Sequence, residues 1–221
     1  NFQPQIGKGD VLHGAETLIR WKHPTLGFVP PNKFIPIAEE SRQILKVGAW
    51  VLYHAFMQVK KWTKTHPNFN LAINISPIQF HEADFVKHIR KMLNHTDVNP
   101  NNITLELTEG VLISDTESAL EKIEQLDRIG FKISIDDFGT GYSSLSYLQR
   151  LPIHELKIDQ SFIFRIPDSK EDIAIVESII RIAQTKNLTI VAEGVESRQQ
   201  VDFIRKQTDN ILIQGYFYSR P

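Results

Sequence analysis

Cysteine is absent from this 221-residue chain, which excludes disulfide staples and every thiolate nucleophile or metal ligand. A surplus of either charge is missing too: 25 Lys and Arg stand against 26 Asp and Glu, a formal net charge of −1. A sequence-independent binder of polymeric nucleic acid needs a basic surface, so that partner class is excluded and any phosphate recognition must be local. Long apolar runs are lacking as well, and none approaches the ~20 residues of a membrane-spanning helix. No signal-peptide pattern is present, and Asn1 rather than Met opens the chain, so residues 1–221 read as a single domain excised from a longer protein. Hydrophobic content of 41% suits one soluble globular domain with ample core. The histidines show no metal-type spacing and read as surface or packing residues. Trp50, Trp62 and the phenylalanine of the same helical stretch read as core, and Lys60, Lys61 and Lys64 as a solvated helix face.

What is present is a recurring pattern. Seven short apolar stretches each end in, or carry near their C-terminal end, an acid, amide or amine: AETLIRW (15–21), LAINIS (71–76), ITLELTE (103–109), FKISIDDFGTG (131–141), ELKID (155–159), TIVAEGVE (189–196) and ILIQGY (211–216). Side chains alternate faces along a strand, so Glu16, Leu18 and Arg20 are expected to share a face. So are Thr104, Glu106 and Thr108, and likewise Lys132, Ser134 and Asp136. The adjacent pair Asp136-Asp137 is the most telling. Two unit charges about 4 Å apart repel by roughly 4 kcal/mol at a near-surface dielectric, and a divalent metal is the usual remedy.

Helical periodicity alternates with the strands. FIPIAEE (34–40) and ILKVGAWVLYHAFMQVKKW (44–62) are amphipathic, and 82–94 is another such segment. Ser114 with Glu117 forms a capping box for a helix to Arg128, with Gly130 as its C-terminal cap. Ser169 with Asp172 opens a helix to Lys186, and Ser197 with Gln200 opens the last. Strand then helix, repeated, predicts a parallel sheet. With Phe2–Gln5 as a truncated first strand there are eight strands, which fits a (β/α)8 TIM-type barrel better than an open doubly wound sheet. The polar residues would then converge at the C-terminal mouth.

Over its whole length the chain resembles the EAL-domain cyclic di-GMP phosphodiesterases. The resemblance rests on Glu16-Thr17-Leu18, where Thr replaces the middle Ala of the signature, and on LIRW, NIS, ELTE, DDFGTGYSSL, LKID, AEGVE and QGY in that order. It implies an EAL-type variant of the barrel and a two-metal hydrolysis of cyclic di-GMP to linear 5′-pGpG. Glu16, Asn74, Glu106 and Asp136 match ligands for one Mg²⁺ or Mn²⁺, and Asp136 bridges to a second ion held by Asp137 with Glu193. An all-oxygen set suits these ions rather than zinc, and Ca²⁺ is expected to inhibit. Lys157, Glu193 and Asp137 match the catalytic groups. Gln3, Leu18, Ile19, Arg20, Asp159, Glu196, Gln214 and Tyr216 match substrate contacts. Glu109 and the loop Phe138, Gly139, Thr140, Gly141, Tyr142 and Ser143 match a regulatory loop coupled to a homodimer contact. The resemblance further implies a cytoplasmic domain, with any inner-membrane anchor in other parts of the parent protein.

Taken singly, each residue has a plainer reading. Glu16 fits a solvated edge, Asn74 a turn, Asp136-Asp137 a helix cap, Lys157 the surface and Arg20 a structural ion pair. A receptor that binds the dinucleotide without cutting it is the alternative function, and a non-catalytic scaffold is a weaker one.

Overall fold

The apolar stretches form eight strands that hydrogen-bond in a closed ring. In chain order they are β1 (Phe2–Ile6), β2 (Leu12–Thr17), β5 (Asn70–Ile75), β6 (Ile103–Thr108), β7 (Lys132–Phe138), β8 (Glu155–Ile158), β9 (Thr189–Ala192) and β10 (Ile211–Ile213). Around the ring the order is β1-β10-β9-β8-β7-β6-β5-β2. The computed structural model describes residues 1–111, 116–140 and 145–221. The barrel expected from the strand–helix alternation is therefore present, with one difference. β1 runs antiparallel to both β2 and β10, while the other seven strands are parallel. The reason lies in the connection. Only residues 7–11 link β1 to β2, through a single 3-10 turn at Lys8–Asp10, and a parallel crossover needs a dozen residues or more.

A second difference follows β2. The strand ends at Thr17, so Leu18 and Arg20 do not continue its face beside Glu16. The chain instead makes a small hairpin, β3 (Trp21–His23) with β4 (Gly27–Val29), whose turn is fixed by His23 Nδ1 accepting from the amides of Thr25 and Leu26, both at 3.2 Å.

Helices pack outside the ring. α1 (Pro31–Glu40) and α2 (Ile44–Trp62) coincide with the two amphipathic stretches read from sequence. The segment expected at 82–94 corresponds to α4 (Phe85–Thr96), and a short helix that the periodicity did not show, α3 (Pro77–His81), precedes it. α5 (Thr116–Ile129) ends ahead of Gly130, although its proposed cap at Ser114 lies outside the described residues. α6 (Leu145–Arg150) and the one-turn α7 (Gln160–Ile163) follow. α8 (Lys170–Thr185) starts on a Ser169 cap, and α9 (Arg198–Gln207) on the Ser197/Gln200 capping box. Among the described residues no helix is long and apolar enough to cross a membrane.

Two layers of side chains result. Outward residues such as Ile73, Leu105, Ile133 and Leu156 are fully buried beneath helix residues such as Phe56, Val59 and Ile123. Each such burial contributes about 1.5–3 kcal/mol, so this outer shell drives closure. The inward faces are instead polar: Gln5, Glu16, Asn70, Thr104, Glu106, Ser134, Glu155, Lys157 and Gln214 are all buried. Trp62 packs against the core as expected, but Trp50 does not; it is 58% exposed on α2, its ring 4.1 Å from that of His54. Trp50 is six residues along from Ile44 and two short of Leu52, which places it off the buried stripe. Lys60 is likewise more than a solvated charge, since its Nζ donates to the Thr96 carbonyl at 2.7 Å and ties α2 to α4.

Strand contact is closest at Gly14, where an added Cβ would lie 2.3 Å from the Asn70 carbonyl oxygen. Gly14→Ala should therefore lower stability by about 1–3 kcal/mol through forced separation of β2 from β5. Urea unfolding checks this, and an unchanged midpoint would contradict the Gly14–Asn70 register.

Candidate active site

The C-terminal ends of five strands deliver charge to one point. Lys157, from β8, is wholly buried. Its Nζ lies 2.8 Å from Glu193, 3.0 Å from Glu106, 3.2 Å from Asp136 and 3.7 Å from Glu16. Burial opposes the ammonium charge, but these four carboxylates outweigh it and hold the lysine pKa well above its ordinary value. The surface reading of Lys157 is thus overturned.

Adjacent aspartates on a regular strand would point to opposite faces. Here the β7–β8 register shifts between Ile135 and Phe138, and Asp137 takes a left-handed backbone conformation with φ of 54°. That irregularity turns Asp137 toward the mouth as well. The bend is held by Asp137 N–H donating to Asp136 Oδ1 at 3.0 Å and by Thr140, whose Oγ1 donates to the Asp137 carbonyl at 2.8 Å. Carboxylate oxygens of Asp136, Asp137 and Glu193 consequently lie within 4.8 Å of one another.

Glu16 is oriented from two sides. Asn74 Nδ2 donates to its Oε1 at 2.5 Å, and Gln214 Nε2 donates to its Oε2. Burial alone would raise its pKa, but Lys157 and these amide donors hold it below the usual carboxylate range. Glu106 is the opposite case: burial and then Glu16 push its pKa well up, and neither of its oxygens receives a well-formed hydrogen bond. Burial likewise pushes Glu193 up to about 8, and Asp137 to about 6 with help from Asp136.

Five carboxylates against one ammonium leave a formal charge of −4 when all are ionised. The donors are all oxygen, and the buried Glu106 oxygens accept no well-formed hydrogen bond, with Lys157 Nζ the cation beside Oε2 at 3.0 Å. The residues therefore fit a hard divalent ion of the Mg²⁺ or Mn²⁺ kind, and two such charges would cancel the excess.

Above the acids opens a cavity of about 640 Å³. Of the residues matched to substrate contacts, Gln3, Leu18, Ile19, Arg20, Glu196, Gln214 and Tyr216 line it, while the buried Glu106 does not. Asp159 does not line the cavity; its Oδ1 caps α7 by accepting from Ser161 N at 3.0 Å. Glu109 is buried and its Oε2 accepts from Gly139 N at 3.4 Å, joining two parts of the expected regulatory loop. Phe138 is buried as the last residue of β7. Gly141, Tyr142 and Ser143 lie outside the described residues.

Sequence reasoning missed the far wall. α1 and α2 contribute Ile35, Ile44, Val47 and Val51 to the cavity, together with Glu39, whose Oε1 accepts from Ser76 Oγ at 2.6 Å. The signal was available, since Ile35 and Glu39 are four residues apart and so share a helix face. It also missed Gln5, whose Nε2 donates to Gln214 Oε1 at 3.1 Å.

The geometry defines a class: an α/β barrel with one antiparallel strand and a lysine-centred, all-oxygen acid cluster at its mouth. Within that class the assignment is specific, because residues 1–221 match the EAL domain family and the chain belongs to it. It is 42% identical to the bifunctional diguanylate cyclase/cyclic di-GMP phosphodiesterase MucR of Pseudomonas aeruginosa, across all of this chain and 32% of that protein. It is 38% identical to the cyclic di-GMP phosphodiesterase PdeR of Escherichia coli, across all of this chain and 33% of that protein. The chain thus spans about a third of the length of these relatives. A solved structure of the PaMucR phosphodiesterase in complex with c-di-GMP superposes with a TM-score of 0.96 at 41% identity, covering all of this chain and 90% of that one.

The raised acids predict a pH-dependent stability. Without metal, Asp137 and Glu193 bind protons more tightly in the folded state than in the unfolded chain, where carboxyls titrate near pH ~4. Their stabilising contribution is full below that pH and lost as pH rises through about 6 for Asp137 and about 8 for Glu193. Urea unfolding in EDTA should show a lower midpoint at pH 8 than at pH 5.5, and excess Mg²⁺ should remove most of the difference. A midpoint in EDTA that does not fall over that interval would contradict the clustering of these charges.

Proposed function

We propose that this chain hydrolyses cyclic di-GMP to linear 5′-pGpG, opening one phosphodiester of the ring. The observation that carries this reading is the set of five carboxylates gathered around Lys157 at the mouth of an EAL-family barrel. Glu16, Asn74, Glu106 and Asp136 would hold one Mg²⁺ or Mn²⁺. Asp136 would share a second with Asp137 and Glu193. Bound there, such a pair supplies a water of lowered pKa and neutralises charge on the phosphoryl oxygens.

The chain's own residues do the rest. Lys157, fixed by four carboxylates, is rigid enough to orient the attacking water and to meet charge developing on the phosphate. Arg20 offers a planar fork to a phosphate from the cavity wall. Leu18, Ile19 and Tyr216 offer apolar surface to the guanine bases, with Gln3, Glu196 and Gln214 as polar contacts along the same wall. Asp159 would act from behind Asp137, whose charge it helps to suppress. Glu109, through Gly139, would couple the loop at 138–143 to Asp136 and Asp137, and through that loop to a homodimer contact. A cytoplasmic setting follows from this substrate, with any membrane anchor supplied elsewhere in the parent protein.

Purified chain incubated with cyclic di-GMP and Mg²⁺ or Mn²⁺ should accumulate 5′-pGpG on chromatography. Glu16→Gln, Asp136→Asn and Lys157→Ala should each lower kcat by at least about 100-fold with the far-UV spectrum unchanged. Ca²⁺, with its larger and looser coordination sphere, should permit binding without turnover. Tight dinucleotide binding without product in Mg²⁺ and Mn²⁺ would replace the enzyme by the receptor reading, and near-wild-type rates in any of the three variants would overturn the residue roles.

A further inference from the structure

We propose that Gln5 is a positioning residue for the candidate metal centre: it fixes the amide of Gln214, and through it the carboxylate of Glu16, without contacting the acid cluster itself. The inference rests on the reading of Glu16 as a metal ligand.

A glutamine amide has one accepting and one donating end. Glu16, as an ionised carboxylate, only accepts, so Gln214 must turn its Nε2 toward Glu16 Oε2. Its Oε1 then faces the other way, where Gln5 Nε2 donates to it at 3.1 Å. Gln3 completes the arrangement. Its Nε2 is engaged by the Ser219 carbonyl at 3.3 Å, which leaves its Oε1 to accept the remaining Gln214 N–H at 3.3 Å. With Gln5 in place, a reversed Gln214 amide would set amino group against amino group on one side and carbonyl against carboxylate on the other. All three amides are buried, Gln5 to 1%, Gln214 to 3% and Gln3 to 8% exposure, so bulk water is not at hand to replace a lost donor.

The antiparallel first strand is what places them. Gln3 and Gln5 are two apart on β1 and share its inward face. Gln3 pairs with Glu16 across β2, and Gln5 with Gly14. Glu16 and Gln3 already select the orientation of the Gln214 amide, but without the Gln5 donor its Oε1 is buried without a partner, so the amide is held from one side only and the position of Glu16 is less firmly fixed.

The test is Mn²⁺ affinity of the 221-residue chain, measured by isothermal titration, with Tm recorded beside it. Gln5→Met removes the donor at nearly constant volume, and Gln5→Leu serves if that variant does not fold. The Kd for Mn²⁺ should rise by about 3–10-fold, somewhat less than for a direct hydrogen-bond partner of a metal ligand. In a Gln214→Met background the same substitution should have no further effect, because Gln5 acts only through that amide. A packing role would give losses that add. Unchanged Mn²⁺ affinity in Gln5→Met, or additive losses in the double variant, would overturn the proposal. Failure of the wild-type chain to bind Mn²⁺ would instead overturn the metal-ligand reading beneath it, and this inference with it.

Discussion

A single buried ammonium among too many carboxylates is the constraint around which the mouth of this barrel is built. Lys157 has no access to solvent and lies within 4 Å of four acids. One positive charge cannot neutralise that set, and at interior dielectric the repulsion between uncompensated carboxylates exceeds anything a surface cluster experiences. The site can relieve the excess by taking up protons, as the raised pKa values of Glu106, Glu193 and Asp137 describe, or by taking up divalent cations. The two forms of relief compete for the same oxygens. Glu16 differs from these three, since Lys157 and two amide donors hold its pKa below the usual carboxylate range.

Holding such a cluster requires a scaffold whose stability comes from elsewhere. The outward faces of the strands and the helices over them form that scaffold, with residues such as Leu71, Ile103, Leu107 and Ile190 fully buried. The inner faces are thereby released from the usual task of filling a barrel with branched apolar side chains. Thr104 Oγ1 donates to Asn70 Oδ1 at 2.8 Å lower in the same interior, so the polar filling continues below the charged mouth.

Much of this was legible in sequence because a strand's period of two is simple and its consequences are strong. The strand–helix alternation gave the barrel, the Ser169 and Ser197 caps gave two helix starts, and the ordered motifs gave the family. What was not legible depended on backbone geometry without a side-chain signature. The reversal of β1 follows from a five-residue connection, which a reading of apolar runs does not weigh. The bulge at Asp136-Asp137 breaks the alternation that was used to find the strand. Leu18 and Arg20 were placed on the face of Glu16 because LIRW looks extended, whereas the chain leaves β2 at Thr17 to form a hairpin. Trp50 was assigned to the core by its chemistry alone, although its position on α2 turns it outward. Gln5 was invisible for a different reason: an amide buried behind another amide has meaning only once the hydrogen bonds are known.

Two departures from the ideal barrel serve the charged mouth. A parallel first strand would direct β1 the other way along the barrel and change which of its residues reach Gln214, and a bulge-free β7 would turn Asp137 away from Asp136. The second has a local cost, a non-glycine residue at φ of 54°. Both bring a polar group to a point the ideal barrel leaves out of reach. From β2 to β6 and from β8 to β10 the parallel registers run without a shift. A left-handed Asp137 beside the β7–β8 shift, at the point where the acids gather, is the expected mark of geometry set by the site and not by packing.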